Sequence, residues 1–318
     1  MRKALLCTLA TALVLIVTTT AAPASPPSGR FSFRDLARSE IAGPGRVDLA
    51  PGADVSSSRY TFAAGAGSGW RSLPGSSLFV LTKGTLTLGS ARGCVRAEYR
   101  AGQAAVMPAG EYSVTNAGTE PLEFVGVFLG LPVAGPPPLA QGAPDPAPPG
   151  CTFGTIAAAG AGPGDLADGG RATLVSHGEG YAGHHHGHDA IDAIEAQPGK
   201  DVLVSWYHLE PGFSTGWHTH DEPFIGIITK GTLTYYDEQD GHCHLSGRYH
   251  AGQAFATIPG PGHRHLGGNY DQEPLEGYAV YINTPRKYPV PIFGNQLDAI
   301  DFSPTPPPGC PHLRDGQI

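Results

Sequence analysis

No window of the sequence keeps the apolar spacing of an amphipathic helix. Charged residues are also scarce, at 15% of the 318 residues, and the 28 Asp and Glu outnumber the 20 Lys and Arg. No basic cluster occurs among them. An acidic chain without a basic cluster is a poor binder of nucleic acid or of an anionic membrane. These absences argue against a helical bundle and against a nucleic-acid partner.

Glycine and proline, in contrast, are abundant. The chain has 45 Gly and 31 Pro. This composition suits many short strands joined by turns better than long helices. We therefore predict an all-β protein.

The first residues have the pattern of an export signal. Arg2 and Lys3 precede an apolar run over residues 4–17, and Ala22-Pro23-Ala24 follows it. A basic start, a short apolar run and small residues at the end predict a secretory signal peptide over residues 1–24. We therefore expect a secreted protein with no membrane segment after cleavage.

The remainder of the chain repeats itself. The matching segments are Gly69-Trp70 with Gly216-Trp217, residues 82–87 with 229–234, and residues 99–103 with 249–253. Self-similarity of this kind indicates homologous structural units. We predict an N-terminal β-barrel over residues 31–151, a linker over 152–170 and a C-terminal β-barrel over 171–318.

The second unit carries a metal-binding pattern. His218 and His220 are two residues apart, so in a strand their side chains leave the same face and can bind one ion. After the apolar segment 253–258, a Gly/Pro turn leads to His263 and His265. These two imidazoles can reach the same site.

Both segments resemble the sequence motifs of the cupin family. The matches to the first motif are Gly212, His218, His220 and Gly231. The Glu of that motif is missing, because Phe224 stands in its place, and the nearby Glu222 either substitutes for it or faces solvent. The resemblance implies two tandem cupin barrels, each jelly-roll-like, with a metal held by histidines.

The second motif is matched with a longer turn. Counting from Gly252 selects His263 as the metal ligand, and counting back from Asn269 selects His265. We expect His265 to be the ligand. His263 is expected to be a fourth ligand or a group just behind the ligands.

The first unit lacks these ligands. Aligned on the shared Gly-Trp pair, Arg71 and Leu73 stand opposite His218 and His220, and Ser113 stands opposite the histidine of the second motif. Arginine offers no usable lone pair and leucine none at all. We therefore predict a metal site in the second barrel alone, with the first barrel as a structural or docking partner.

The ligand set limits the choice of metal and of substrate. Three neutral imidazoles suit Fe, Cu, Zn or Ni, whereas Mn prefers more oxygen ligands. We expect one divalent transition metal of the first group, unless Glu222 supplies an oxygen. Because the ligands carry no charge, the ion keeps its full charge and favours a small anionic partner.

Three functions are compatible with such a site. The resemblance to cupin dioxygenases with three histidines implies an oxygenase or related oxidoreductase. A non-catalytic extracellular module that binds a metal or a ligand is the alternative, and metal-assisted isomerisation or lyase chemistry stays open. Cupin barrels also pair through strands, so the resemblance is compatible with a homodimer.

The cysteines follow the repeat. Outside the signal there are four, of which Cys94 and Cys243 follow the first motif and Cys151 and Cys310 each follow Pro-Pro-Gly. Four cysteines in an exported chain allow three pairings. Equivalent units favour disulfides Cys94–Cys151 and Cys243–Cys310, and free buried thiols are the alternative.

Two further groups of residues are candidates for the site or its surroundings. The insertion His184-His185-His186-Gly187-His188 either holds a second, looser metal or is a solvated loop. Tyr207, Trp217, Phe224 and Tyr235 are candidates for the pocket wall, and plain barrel core is the alternative for each of them.

Overall fold

A computed structural model of the chain describes residues 31–135, 138–139, 145–153, 169–176, 192–220, 222–239, 242–257, 264–285 and 301–302. The expected signal peptide, most of the expected linker, the 184–188 insertion, His263 and Cys310 lie outside these residues. In the part of the chain that is described, no helix is long and apolar enough to cross a membrane.

The described residues form β-strands and turns, which confirms the all-β prediction. The strands of the first half are β1 Phe31–Ile41, β2 Gly45–Asp48, β3 Asp54–Phe62, β4 Gly67–Leu73, β5 Ser77–Lys83, β6 Thr85–Ser90, β7 Val95–Arg100, β8 Gln103–Met107, β9 Gly110–Thr115 and β10 Leu122–Leu131. Those of the second half are β11 Gly170–Leu174, β12 Ala193–Ala196, β13 Asp201–Leu209, β14 His218–Thr219, β15 Phe224–Lys230, β16 Thr232–Gln239, β17 His242–His250, β18 Gln253–Thr257, β19 His265–Gly268, β20 Leu275–Thr284 and β21 Asp301–Phe302.

Ten strands from both halves close into one ring. Its order is β1-β13-β20-β15-β18-β11-β3-β10-β5-β8. The first strand of each half crosses to the other half: β1 pairs with β13, and β11 pairs with β3, both antiparallel. Each of these strands also pairs in parallel with a strand of its own half, β1 with β8 and β11 with β18.

Alternate side chains along a ring strand pack into two different hydrophobic cores. In β5, Leu78 and Val80 belong to a core that both halves share, whereas Phe79 and Leu81 belong to the core of the first half alone. This alternation follows from the strand period of two. Strands such as β5 and β10 are therefore buried on both faces, which explains their nearly continuous apolar sequences.

A second sheet packs on the ring in each half. The first half has a four-stranded sheet in the order β4-β9-β6-β7, and the second has a five-stranded sheet in the order β17-β16-β19-β14-β21. In the second half, Leu233 and Tyr235 of the outer sheet share one core with Phe224 and Phe255 of the ring. Each half is thus a jelly-roll-like barrel of two packed sheets.

Two equivalent ion pairs hold the exchanged strands, β1 and β11, against the other half. Arg38 Nε of β1 donates to Asp201 Oδ2 at 2.6 Å, and Arg171 Nε of β11 donates to Asp54 Oδ2 at 2.5 Å. Burial alone would raise the pKa of Asp54, but hydrogen bonds from Arg171, Thr173 and the Ala134 amide outweigh burial and lower it. Each barrel therefore holds the first strand of the other with a charged hydrogen bond.

A disulfide ties the tail of the first half to its outer sheet. Cys94 and Cys151 are bonded with their Cα atoms 5.4 Å apart, as the repeat of the cysteines predicts. The Trp70 indole nitrogen also donates to the Phe153 carbonyl at 3.0 Å, beside the bridge. Cys243 is disulfide-bonded as well, and its expected partner, Cys310, lies outside the described residues.

Candidate metal centre

Three histidines come together inside the second barrel. His218 on β14 lies directly opposite His265 on β19, and His220 follows just after β14. One ring nitrogen of each lies within 4.8 Å of those of the other two. The structure thus brings together three of the four histidines expected from the sequence. That they bind a metal stays a prediction, as does the part of His263.

Backbone carbonyls orient two of the rings. Nδ1 of His218 lies 2.9 Å from the Gly216 carbonyl, and Nδ1 of His220 lies 3.1 Å from the Glu222 carbonyl. A carbonyl accepts only from a protonated nitrogen, so these contacts place the hydrogen on Nδ1 and leave the Nε2 lone pair for an ion. The donor set therefore fits a transition metal.

Burial keeps His218 neutral. It lowers the pKa of His218 to about 4, against a smaller raising effect of the bond to the Gly216 carbonyl. Neutral imidazole is the form that binds a metal ion. At neutral pH this ring needs to lose no proton before it binds.

Glu222 lies behind the histidines. Its Oε2 is 3.7 Å from Nδ1 of His220, which is the nitrogen turned toward the backbone. No described carboxylate belongs to the group of three histidines that could share an ion. Glu222 therefore does not take the position of the missing motif glutamate. Phe224 does, with its ring edge-on to His220 at 5.8 Å between centroids.

The three histidines line an apolar pocket. Its volume is about 530 Å³ when the solvent-filled space at its mouth is included. It is lined by Phe33, Tyr207, Leu209, Thr215, His218, His220, Phe224, Gly226, Leu233, Tyr235, Phe255, His265, Gly267, Ala279 and Tyr281. None of these residues is Lys, Arg, Asp or Glu. Apart from the imidazoles, the polar side chains of the lining are three phenols and one threonine hydroxyl.

The phenols stand next to the imidazoles. Tyr235 stacks on His265 at 5.4 Å and Tyr281 lies edge-on to His220 at 5.9 Å, both between ring centroids. Burial raises the pKa of Tyr207, Tyr235 and Tyr281 above its ordinary value. All three phenols therefore stay protonated at neutral pH.

The sequence predicts part of the pocket wall correctly. Tyr207, Phe224 and Tyr235 line the pocket, but Trp217 does not, because it packs against Leu266 in a separate cluster. Trp217 directly precedes His218, and neighbouring residues of an extended segment point to opposite faces. Sequence reasoning did not single out Phe33, Phe255 and Tyr281, which the strand pairing brings to the wall.

A buried carboxylate also lies across from His265. Asp237 on β16 pairs with His265 on β19, and its side chain accepts a hydrogen bond from Ser246. Burial raises the pKa of Asp237 to about 8. Nothing in the sequence pattern singled out this residue, because it lies between the two motifs.

The first barrel is filled where the second holds histidines. Arg71 pairs with Tyr112 as His218 pairs with His265. Tyr112, and not Ser113, therefore holds the place of His265, and the alignment by sequence is wrong by one residue. The Tyr112 hydroxyl donates to the Pro108 carbonyl at 3.1 Å. Among the described residues of the first barrel, no group of side chains is placed to share a metal ion.

No family model matches the chain, and no curated protein matches it. Among solved structures, the oxalate decarboxylase of Bacillus subtilis, studied for its Mn(II) centres, is 14% identical, with 83% of this chain and 80% of that chain covered and a TM-score of 0.33. The same enzyme at pH 4.6 is 15% identical, with 81% and 77% covered and a TM-score of 0.32. AerE from Microcystis aeruginosa is 14% identical, with 76% and 98% covered and a TM-score of 0.27.

Proposed function

We propose that the protein is an exported oxidoreductase of the oxygenase type that acts on a small anionic molecule. Its second barrel would hold a mononuclear metal centre. One observation supports the proposal most: three imidazoles converge at one point in an otherwise apolar pocket. His218 and His220 would hold the ion through Nε2, with His265 as the third ligand. Fe, Cu, Zn or Ni fits this set better than Mn, because no carboxylate of the described residues joins it.

The bound ion would supply a Lewis acid and, with Fe or Cu, a redox centre. The chain supplies the surroundings. Aromatic walls exclude water, which strengthens electrostatic interactions inside the pocket. The phenol of Tyr281, which lies edge-on to His220, would donate a hydrogen bond to an anionic oxygen next to the imidazoles. Since the described lining has no Lys or Arg, the charge of the substrate would be balanced only by an ion held at the histidines.

Export is part of the same proposal. It rests on the signal pattern of residues 1–24. The Cys94–Cys151 disulfide supports it, because disulfides persist mainly in oxidising compartments.

A binding protein without turnover is the second candidate. It is favoured by the absence of Lys, Arg, Asp and Glu from the described part of the pocket lining, since these groups commonly serve in acid-base catalysis. An oxygenase does not need them, because its metal carries the chemistry.

Metal content and oxygen uptake test both candidates. We expect wild-type protein from the native host to carry one transition metal per chain and a His218→Ala/His220→Ala double variant to carry almost none. His242→Ala, at an exposed histidine outside the pocket, is the matched control and should load normally. Equal loading of all three proteins would contradict the metal centre. Full loading without oxygen uptake on small carboxylates or diketones would favour the binding protein.

A further inference from the structure

One wall of the pocket comes from the first half of the chain. Phe33 on β1 lies opposite Tyr207 on β13, and the two ring centroids are 5.9 Å apart. Phe33 lines the pocket together with residues that all belong to the second half. The barrel without the histidines thus contributes a side chain to the barrel that has them.

The strand that carries Phe33 is firmly held. The Ser205 hydroxyl donates to Asp35 Oδ1 at 2.7 Å, two residues from Phe33. Phe31, two residues to the other side, packs edge-on to Phe213 at 5.1 Å between ring centroids. Phe33 is therefore fixed between two anchors and is not part of a loose tail.

Phe33 also stands at the boundary between the pocket and solvent. It is partly buried and packs on the core of the second barrel. The residues deeper in the pocket are more buried than Phe33: Tyr207, Phe224 and Tyr281 are each less than a tenth exposed. A ring in this position limits the size of whatever lies between it and the histidines.

We propose that Phe33 is the size-selecting residue of the pocket, and that the first barrel takes part in the function of the second through β1. The proposal rests on the proposed metal centre for its ligand. It explains how a barrel without metal ligands acts in the function: its exchanged first strand closes the pocket.

Cobalt(II)-loaded protein tests this proposal without an activity assay. Its visible spectrum changes when an anion binds to the cobalt ion, so the affinity of each anion can be measured. The probes are azide, benzoate and biphenyl-4-carboxylate. In Phe33→Ala, biphenyl-4-carboxylate should bind about tenfold more tightly, equivalent to about 1.4 kcal/mol, while azide binds as in wild type. In Phe33→Trp, benzoate should weaken by about the same factor and azide again should not change.

Ser32→Ala is the control, because Ser32 is exposed on the opposite face of the same strand. Its binding of all three anions should equal that of wild type. If wild-type protein binds no cobalt, the metal centre and this inference are both wrong. If cobalt and azide bind normally but the two Phe33 variants shift no anion selectively, the inference alone is wrong. Thermal unfolding of each variant checks that it is folded.

Discussion

Val114 and Gly267 occupy equivalent positions in the two outer sheets. Val114 pairs with Leu88, and Gly267 pairs with Tyr235. Leu88 and Tyr235 each directly follow the matching segments 82–87 and 229–234. The Val114 side chain is fully buried in the core of the first barrel, whereas Gly267 leaves the same position open to the pocket. This exchange of valine for glycine is one reason why the second barrel has a pocket beside His265.

Gly267→Val should therefore narrow the pocket and leave the fold around it unchanged. A Cβ at Gly267 would lie 3.4 Å from Leu233 Cδ1 and 3.7 Å from Tyr235 Cδ2, which are ordinary van der Waals distances. We expect unchanged metal loading and binding of benzoate to the cobalt protein weakened by about tenfold or more. Gly267→Ala, with a smaller added group, should have a smaller effect. Tighter benzoate binding in Gly267→Val would contradict this account of the pocket.

The local features of the site follow from the sequence. His218 and His220 share a face because strands have a period of two, and this holds wherever the strand lies in the fold. The Cys94–Cys151 pair follows from the repeat, which makes equivalent cysteines form equivalent bonds. Both inferences need only neighbouring residues or the comparison of one half with the other.

The long-range features do not follow from it. Phe33 reaches the pocket because β1 crosses to β13, and no local pattern indicates that the two halves exchange strands. Tyr112 was missed by one residue because the pairing of β4 with β9 depends on turn lengths that the Gly-Trp alignment does not fix. Strand register and strand exchange are set by packing over the whole fold.

The ion pair between Arg171 and Asp54 should contribute to stability at neutral pH. Both side chains are largely buried, at 23% and 5% exposed, so Arg171→Met should leave a buried carboxylate without its charged partner and cost about 2 kcal/mol of unfolding free energy. Arg46→Met is the control. Arg46 pairs with Asp48 at the surface, with both side chains 56% exposed, and its loss should lower the unfolding free energy far less than the loss of Arg171.

The contribution of this pair should disappear in acid. The pKa of Asp54 lies below its ordinary value of 3.8 in the folded protein. Stability from such a group is complete above the unfolded pKa and is lost as the pH falls through the folded pKa. Urea unfolding of wild type and Arg171→Met should therefore differ most near neutral pH and converge in strong acid. A difference that grows with falling pH would contradict the ion pair.

The Cys94–Cys151 disulfide should stabilise the first barrel through its tail. The two residues are 57 apart in sequence, and closing a loop of that length constrains the unfolded chain by about 4 kcal/mol in the chain-entropy model. A Cys94→Ala/Cys151→Ala double variant should lose a large part of that free energy in denaturant unfolding. Thiol titration of denatured, unreduced wild-type protein should find neither cysteine reactive, and reactive thiols at both would refute the bridge.

The residue at position 224 should decide whether the proposed metal centre has an oxygen ligand. Its ring stands where the cupin motif has glutamate, in contact with His220, and it stacks on Tyr281 at 5.6 Å between centroids. Phe224→Glu would place a carboxylate beside the three imidazoles, which favours Mn and harder ions over Cu or Zn. We expect the ratio of bound Mn to bound Zn, measured after dialysis against equal concentrations, to rise by about tenfold or more. Without metal the variant should unfold more easily, because it loses aromatic packing and buries an unpaired carboxyl group.

Phe224→Leu is the control, since it loses the ring but adds no oxygen, and its metal preference should stay that of wild type. A Phe224→Glu protein with unchanged preference would mean that position 224 does not face the ion.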